Sequence, residues 1–253
     1  MIDIHSHLVY GVDDGSKNIK DTITMLEEAE WAGFTDIIFT PHYMEGVYEV
    51  PCEEIKNRIS NIEDRTNKVS LNIYQGNEIY ISNEMMSLIN TKKAMSLNNS
   101  RYVLFELPMR DRPMNLDQVI YDLLQAGKTP VMAHPERYTY VQENPNMLLD
   151  YIDQGVLFQA NYGSIMGKYG GEIKNTVKKL LKHDMIHFLG SDNHRTNSIY
   201  REIPKIMPVL EEWIGERRVE QLTVDNPIHI LKDEEFEIDE PEEIKKKSWM
   251  FWK

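Results

Sequence analysis

His5-Ser6-His7 puts two imidazoles two residues apart at the end of a short opening apolar segment. In an extended strand, residues i and i+2 point to one face, so both rings can serve a single metal ion. Alone the pair is a weak signal; its support comes from elsewhere in the chain. His42 follows Thr40-Pro41 directly after the apolar run 35–39, and His134 follows residues 130–133 in the same way. Asp192-Asn193-His194 repeats the x, x+2 spacing after 186–190, now pairing a carboxylate with an imidazole. Glu78 comes shortly after 72–75, and Glu106 ends the run Tyr102-Val103-Leu104-Phe105. Asp13-Asp14-Gly15 lies close enough to the opening segment for one carboxylate to fold back over it, with Gly15 permitting the turn; Asp14 is the expected ligand.

Any one of these residues alone reads as a solvated charge, a helix cap or a hydrogen-bonded structural group. As a set they read differently. Five of the eight histidines fall at or just past expected strand ends, and burying that many polar groups without a metal or partners is costly. His183, His187 and His229 lack this placement and read as structural. The nine donors, His5, His7, Asp14, His42, Glu78, Glu106, His134, Asp192 and His194, exceed the needs of one ion, so two or three divalent ions are expected. Mixed imidazole and carboxylate ligation without thiolate suits Mn2+, Fe2+, Zn2+ or Co2+.

Arg137, three residues after His134, can bring a guanidinium to a metal-bound anion, and its planar fork suits a phosphate. Arg195 and Arg201 are second candidates. The chain has no Gly-x-x-x-x-Gly-Lys-Ser/Thr phosphate loop, no Gly-x-Gly-x-x-Gly fingerprint and no Gly-x-Ser-x-Gly elbow. Cys52 reads as structural rather than as the nucleophile of a cysteine-dependent phosphatase.

The elements that position these residues are short apolar runs alternating with segments of helical period. The runs include Ile37-Ile38-Phe39, Tyr102-Val103-Leu104-Phe105, Pro130-Val131-Met132-Ala133 and Ile186-His187-Phe188-Leu189; helices are expected over 21–31, 53–68, 116–126, 147–154 and 173–182. That alternation predicts repeated βα units around a mainly parallel sheet, whose strand ends would converge the ligands. With 253 residues, 41% of them hydrophobic, one compact domain is expected. Lys plus Arg number 28 against 41 Asp plus Glu, and the net charge of −13 argues against nucleic acid or anionic membrane as partners. The single cysteine excludes an intrachain disulfide and fits a reducing cytosol. No basic region followed by an apolar stretch opens the chain, and no segment approaches the ~20 apolar residues of a span, so a cytoplasmic protein without membrane insertion is expected.

Met1-Ile2-Asp3-Ile4-His5-Ser6-His7, Val12-Asp13-Asp14-Gly15, Gly76-Asn77-Glu78, Ser100-Arg101-Tyr102, Ala133-His134-Pro135-Glu136-Arg137-Tyr138, Ser191-Asp192-Asn193-His194 and Asp225-Asn226-Pro227 together resemble the polymerase-and-histidinol-phosphatase superfamily. Within it, the pattern resembles the bacterial protein-tyrosine phosphatases of capsule and exopolysaccharide operons. The resemblance implies a single-domain α/β fold, a distorted (β/α)7 barrel, with three ions, commonly manganese. By position, His5, His7, Glu78 and Asp192 would form one metal site; Glu78, Glu106 and His134 a second; Asp14, His42 and His194 a third. Arg137 would hold the phosphate, with Arg201 as the second arginine although its spacing fits poorly. The implied reaction is hydrolysis of phosphotyrosine by a metal-activated water, without a covalent intermediate, on a bacterial tyrosine kinase that governs polysaccharide synthesis. A small-molecule phosphoesterase such as a histidinol phosphatase, or a silent regulatory module, is the alternative. The expected catalytic domain is 1–233. Residues 234–253 form a C-terminal tail, acidic and then basic at Lys245-Lys246-Lys247 before Trp249, Phe251 and Trp252, read as packed back on the body or frayed and given no chemistry.

Overall fold

The computed structural model describes residues 1–66 and 69–245. Among the described residues, nine short strands carry the sheet: β1 (Ile2–Asp3), β2 (Asp36–Phe39), β3 (His42–Tyr43), β4 (Asn72–Gln75), β5 (Glu78–Tyr80), β6 (Tyr102–Glu106), β7 (Thr129–Ala133), β8 (Leu157–Asn161) and β9 (Phe188–Gly190). Neighbours run in the orders β1-β2-β4 and β3-β5-β6-β7-β8-β9, and every pairing is parallel. β3 resumes the path of β2, and β5 that of β4, in one register: Phe39 lies opposite Gln75 and His42 opposite Glu78. Nine segments thus make seven staves. The ring closes where a parallel bridge pairs Ser6 with Asn193; the Asp192 amide donates to the His5 carbonyl at 2.8 Å and the His7 amide to the Asn193 carbonyl at 3.1 Å. This is the distorted (β/α)7 barrel that the resemblance implied.

The staves read as near-continuous apolar runs because a parallel barrel buries both faces of a strand. All five residues of β6 and all five of β8 are buried. Ile4, Ile38, Leu104, Val131 and Phe188 fill one cluster. Outside the ring, helices lay one apolar stripe on the strands at helical spacing: Met25, Leu26 and Ala29 in Ile19–Trp31, Val119, Ile120 and Leu123 in Leu116–Gln125, and Val177, Leu180 and Leu181 in Gly171–Lys182. Each fully buried Leu or Ile contributes about 1.5–3 kcal/mol of apolar transfer.

Two expectations about helices change. The helix expected over 53–68 runs only over Cys52–Glu63, and Lys68 lies outside the described residues. Ile199–Ile214 is a 16-residue helix with Pro204 and Pro208 inside it, which no helical expectation covered. Both prolines, four residues apart, sit on the solvent side while Ile203, Ile206 and Leu210 are buried, so the missing amide bonds fall where water can serve the freed carbonyls.

The tail, as far as it is described, packs back on the body. Phe236 meets Phe188 edge-on at 5.7 Å, and Asn146 exchanges two hydrogen bonds with the Ile244 backbone at 2.9 and 3.0 Å. Lys246, Lys247, Trp249, Phe251 and Trp252 lie outside the described residues. No described helix is long and apolar enough to cross a membrane.

Candidate metal centre

All nine expected ligands meet at the C-terminal ends of the staves. The period-2 argument for the opening segment holds in space: His5 Nε2 and His7 Nε2 face each other at 3.2 Å. Glu78 Oε2 lies 3.3 Å from each of these nitrogens and 3.0 Å from His42 Nδ1. Asp192 Oδ1 stands 3.5 Å from His7 Nε2 and 3.8 Å from His5 Nε2. His134 Nε2 lies 3.0 Å from Glu78 Oε1 and 3.9 Å from Glu106 Oε2. Asp14 Oδ1 sits 3.4 Å from His194 Nε2 and 3.5 Å from His42 Nε2. Three sets of donor atoms each fall within 4.8 Å of one another: His5, His7 and Asp192; His42, Glu78 and Glu106; His7, Asp14, His42 and His194.

Backbone strain aims two of these groups. His134 (φ +36°) and Asp192 (φ +48°) both adopt the left-handed region just past β7 and β9, a conformation costing a non-glycine residue about 1–3 kcal/mol and held only where the surroundings enforce it. Two glycines allow the close approach behind the imidazoles. A Cβ at Gly15 would meet the His7 carbonyl at 2.3 Å, and one at Gly190 would meet the His5 Cβ at 2.8 Å.

Residues that the sequence reasoning missed set the ring orientations. Asp13, passed over in favour of Asp14, accepts from His7 Nδ1 at 2.8 Å and from the His42 amide at 3.0 Å. Gln159 accepts from His5 Nδ1 at 2.6 Å, donates to Asn161, and Asn161 donates to Asp192 Oδ2 at 2.6 Å. The Asp192 carbonyl accepts from His194 Nδ1 at 3.0 Å. Each bond occupies one ring nitrogen and turns the other toward the shared centre, the usual arrangement behind a metal-binding imidazole. The only available sequence signal was the in-register position of Gln159 and Asn161, two apart on one buried strand.

The electrostatics match this packing. Burial and the His42 charge push His7 down, but the hydrogen bond to Asp13 and the facing Glu78 carboxylate outweigh both and bring it to about 10. Burial also opposes charge on His42, yet the facing carboxylates of Glu78 and Glu106 raise it to about 12. Burial would raise Glu78 and Asp192; the surrounding imidazoles, His5 foremost, hold both below the ordinary carboxylate range. Glu78 Oε2 is buried among three imidazole nitrogens without a well-formed hydrogen bond. A divalent cation satisfies such an oxygen, and this hard, thiolate-free donor set fits one. A neutral imidazole offers one lone pair, so His42 can serve only one of the two sets it borders.

Arg137 lies in the turn Pro135–Arg137, donates to Asp192 Oδ2 at 3.1 Å and stacks on the Tyr169 ring at 4.7 Å. It lines a pocket of about 270 Å³ with Asp14, His42, Glu78, Glu106, His134, Asp192 and His194; Lys168, Tyr169, Arg195 and Ser198 complete its polar wall. Arg201 is not brought there. Its Nε donates to the buried Glu28 at 3.2 Å and its guanidinium covers the Trp31 ring at 5.1 Å. Cys52 is buried on its helix, its Sγ 4.0 Å from Asn77 Oδ1, and does not line this pocket.

A family model described as capsular polysaccharide synthesis, CpsB/CapC, matches residues 1–232. The tyrosine-protein phosphatase YwqE of Bacillus subtilis is 31% identical over 249 residues, 98% of each chain. The tyrosine-protein phosphatase CpsB of Streptococcus pneumoniae is 32% identical over 241 residues, 92% of this chain and 99% of that one. A crystal structure from work on these two, described as unique metal-dependent tyrosine phosphatases, superposes with a TM-score of 0.91 at 31% identity over 97% of this chain and all of the other. The histidinol phosphate phosphatase of Lactococcus lactis, 15% identical with a TM-score of 0.56 over 83% of this chain and 92% of the other, shares the fold. Converging donors, barrel and full-length match agree, and the chain belongs to the CpsB/CapC family of capsular polysaccharide synthesis.

Proposed function

We propose that this protein is a metal-dependent protein-tyrosine phosphatase. One observation carries the reading. Among the described residues lining the pocket, every carboxylate belongs to the ligand set, and the remaining charged groups, Arg137, Lys168 and Arg195, are cations. Such a wall suits a phosphate dianion. It offers no spare acid for the amine of a substrate such as histidinol phosphate, and the activity named for the CpsB and YwqE relatives points the same way.

Following the resemblance, we assign His5, His7, Glu78 and Asp192 to one ion, Glu78, Glu106 and His134 to a second, and Asp14, His42 and His194 to a third, although by distance His42 also borders Glu78 and Glu106 at 3.0 and 3.2 Å. His134 supplies the imidazole between Glu78 and Glu106, which frees His42 for Asp14 and His194. Mn2+ is the expected metal. Bound divalent ions supply positive charge for phosphoryl oxygens and bring water into the range where it can attack at neutral pH. Arg137, anchored by Asp192 and flattened on Tyr169, keeps donors free to grip two phosphoryl oxygens and to stabilise the charge that spreads over them during transfer. Asp13, Gln159 and Asn161 hold the ligands in place before substrate arrives. The chemistry belongs to residues 1–233, with 234–253 outside it. The substrate is a phosphotyrosine-bearing protein, for which we favour a bacterial tyrosine kinase of polysaccharide synthesis, with this protein acting from the cytoplasm.

The test compares hydrolysis of a phosphotyrosyl peptide, a phosphoseryl peptide and histidinol phosphate by manganese-loaded and chelated protein. Preference for the first, lost on chelation, is expected. Equal turnover after verified metal removal would overturn the mechanism, and preference for histidinol phosphate would overturn the substrate.

A further inference from the structure

Among the described residues, three cations reach the pocket, and they are held differently. Arg137 is paired with Asp192. Among the described residues, neither Lys168 nor Arg195 has an ion-pair partner, although both line the cavity. Arg201, the second arginine expected from the resemblance, is committed elsewhere by Glu28 and Trp31. The pocket therefore holds unneutralised positive charge but lacks the second arginine expected to grip phosphate.

Lys168 and Arg195 differ in how they are placed. Lys168 Nζ donates to Ser198 Oγ at 3.1 Å, which anchors the ammonium across the pocket wall. Its Nζ also lies 5.9 Å from the centre of the Tyr169 ring, whose face carries Arg137 at 4.7 Å. One aromatic ring and one hydroxyl thus hold the ammonium beside the guanidinium. Both side chains are exposed, but Arg195, among the described residues, has no hydrogen bond to fix it. Burial and the nearby Arg137 and Arg195 lower the pKa of Lys168, with Asp192 opposing them, so an arriving dianion relieves crowding among like charges.

We propose that Lys168 is the second phosphate-binding residue of this site, gripping a phosphoryl oxygen with the two ammonium protons that Ser198 leaves free, in the place that the resemblance gave to Arg201. The assignment rests on the phosphatase reading for its substrate but on the pocket geometry for its position. A lysine here acts as a compact point charge and an arginine as a fork, so Arg137 sets the orientation of the phosphate and Lys168 adds charge.

The experiment uses the full-length, manganese-loaded protein and the variants K168M, K168R, R195M and R201A. Calorimetry gives the affinity for inorganic phosphate, and steady-state turnover of a phosphotyrosyl peptide gives kcat/KM, with metal content and melting temperature as controls. K168M is expected to weaken phosphate binding and kcat/KM by roughly ten-fold, the loss of one charge-assisted hydrogen bond, at unchanged metal content and melting. K168R should recover to within about three-fold, and R201A should bind phosphate as the parent does while losing stability. Normal phosphate affinity in K168M, a larger loss in R195M or R201A, or no phosphate binding by the parent overturns the proposal. If the parent prefers a non-tyrosyl ester while K168M still loses phosphate affinity, the tyrosine-phosphatase reading falls and Lys168 stands.

Discussion

His42 and His187 are both largely buried, at opposite ends of the barrel, and the protein shifts them in opposite directions. His42 sits at the C-terminal ends of the staves with Glu78 Oε2 at 3.0 Å and Glu106 Oε1 at 3.2 Å, and is driven up to about 12. His187 immediately precedes β9 at the other end. Its Nδ1 accepts from the Phe158 amide at 3.0 Å, and burial, helped by the Arg218 charge, lowers it to about 3. Burial disfavours charge in both places. Facing carboxylates reverse the outcome at one end only, turning a neutral structural imidazole into a group that must hold a proton or give it up to a cation.

The sharpest way to break this contrast is to remove carboxylate charge from the ligand end. Glu78→Gln keeps the shape of the side chain at the oxygen shared by His5, His7 and His42. We expect metal content to fall, and kcat/KM on phosphotyrosyl peptide to drop by roughly 10³-fold, about 4 kcal/mol of transition-state stabilisation. Full metal occupancy in that variant would mean that the carboxylate is not what separates the two ends.

Arg137→Lys tests the same end without replacing a ligand. Keeping the charge but losing the fork should cost roughly 10²-fold in kcat/KM, about 2.7 kcal/mol, and Arg137→Ala more. Melting temperature and metal content, measured alongside, should hold. If turnover falls only in proportion to either, Arg137 is a structural ion-pair residue.

The two histidine environments also predict opposite pH dependences of stability in the metal-free protein. The folded pKa of His187 lies below its unfolded value near 6.5, so its contribution is complete above 6.5 and is lost as pH falls toward 3. That loss reaches about 2 kcal/mol by pH 5. His7 and His42 are raised, so their contribution is complete below 6.5 and is lost as pH rises through 10 and toward 12. Urea midpoints of His187→Asn should therefore lose less on acidification than those of the parent, with the alkaline limb unchanged. Parallel acid limbs would show that His187 is not held neutral.

The smallest effect belongs to Cys52→Ser. Burial raises its thiol pKa, and it lies outside the pocket. Turnover within about two-fold of normal is expected of a thiol with no part in nucleophilic attack. Abolished turnover with intact fold and metal would sink a mechanism that leaves this thiol idle.

Much of this site was legible in the sequence because its logic is local. His5 and His7, like Asp192 and His194, stand two apart at a strand end, and a period of two places such a pair toward one centre whatever the rest of the chain does. Strand-end placement of His42, Glu78, Glu106 and His134 follows from apolar runs that a parallel barrel must bury on both faces. The helix at Ile199–Ile214 escaped because local propensity counts two prolines against it, whereas burial of Ile203, Ile206 and Leu210 decides for it.

Residue types and short-range spacing determined repeated βα units around a mainly parallel sheet and which nine donors gather at its strand ends, while the barrel came from the family resemblance. Tertiary structure alone decided that Asp13 orients His7 while Asp14 faces His42 and His194, that Gln159 and Asn161 brace His5 and Asp192, and that Arg201 serves Glu28 while Lys168 reaches the pocket. Residues in the turns and helix starts beyond a strand have no fixed side-chain period, so their direction is set by whichever packed neighbour receives them.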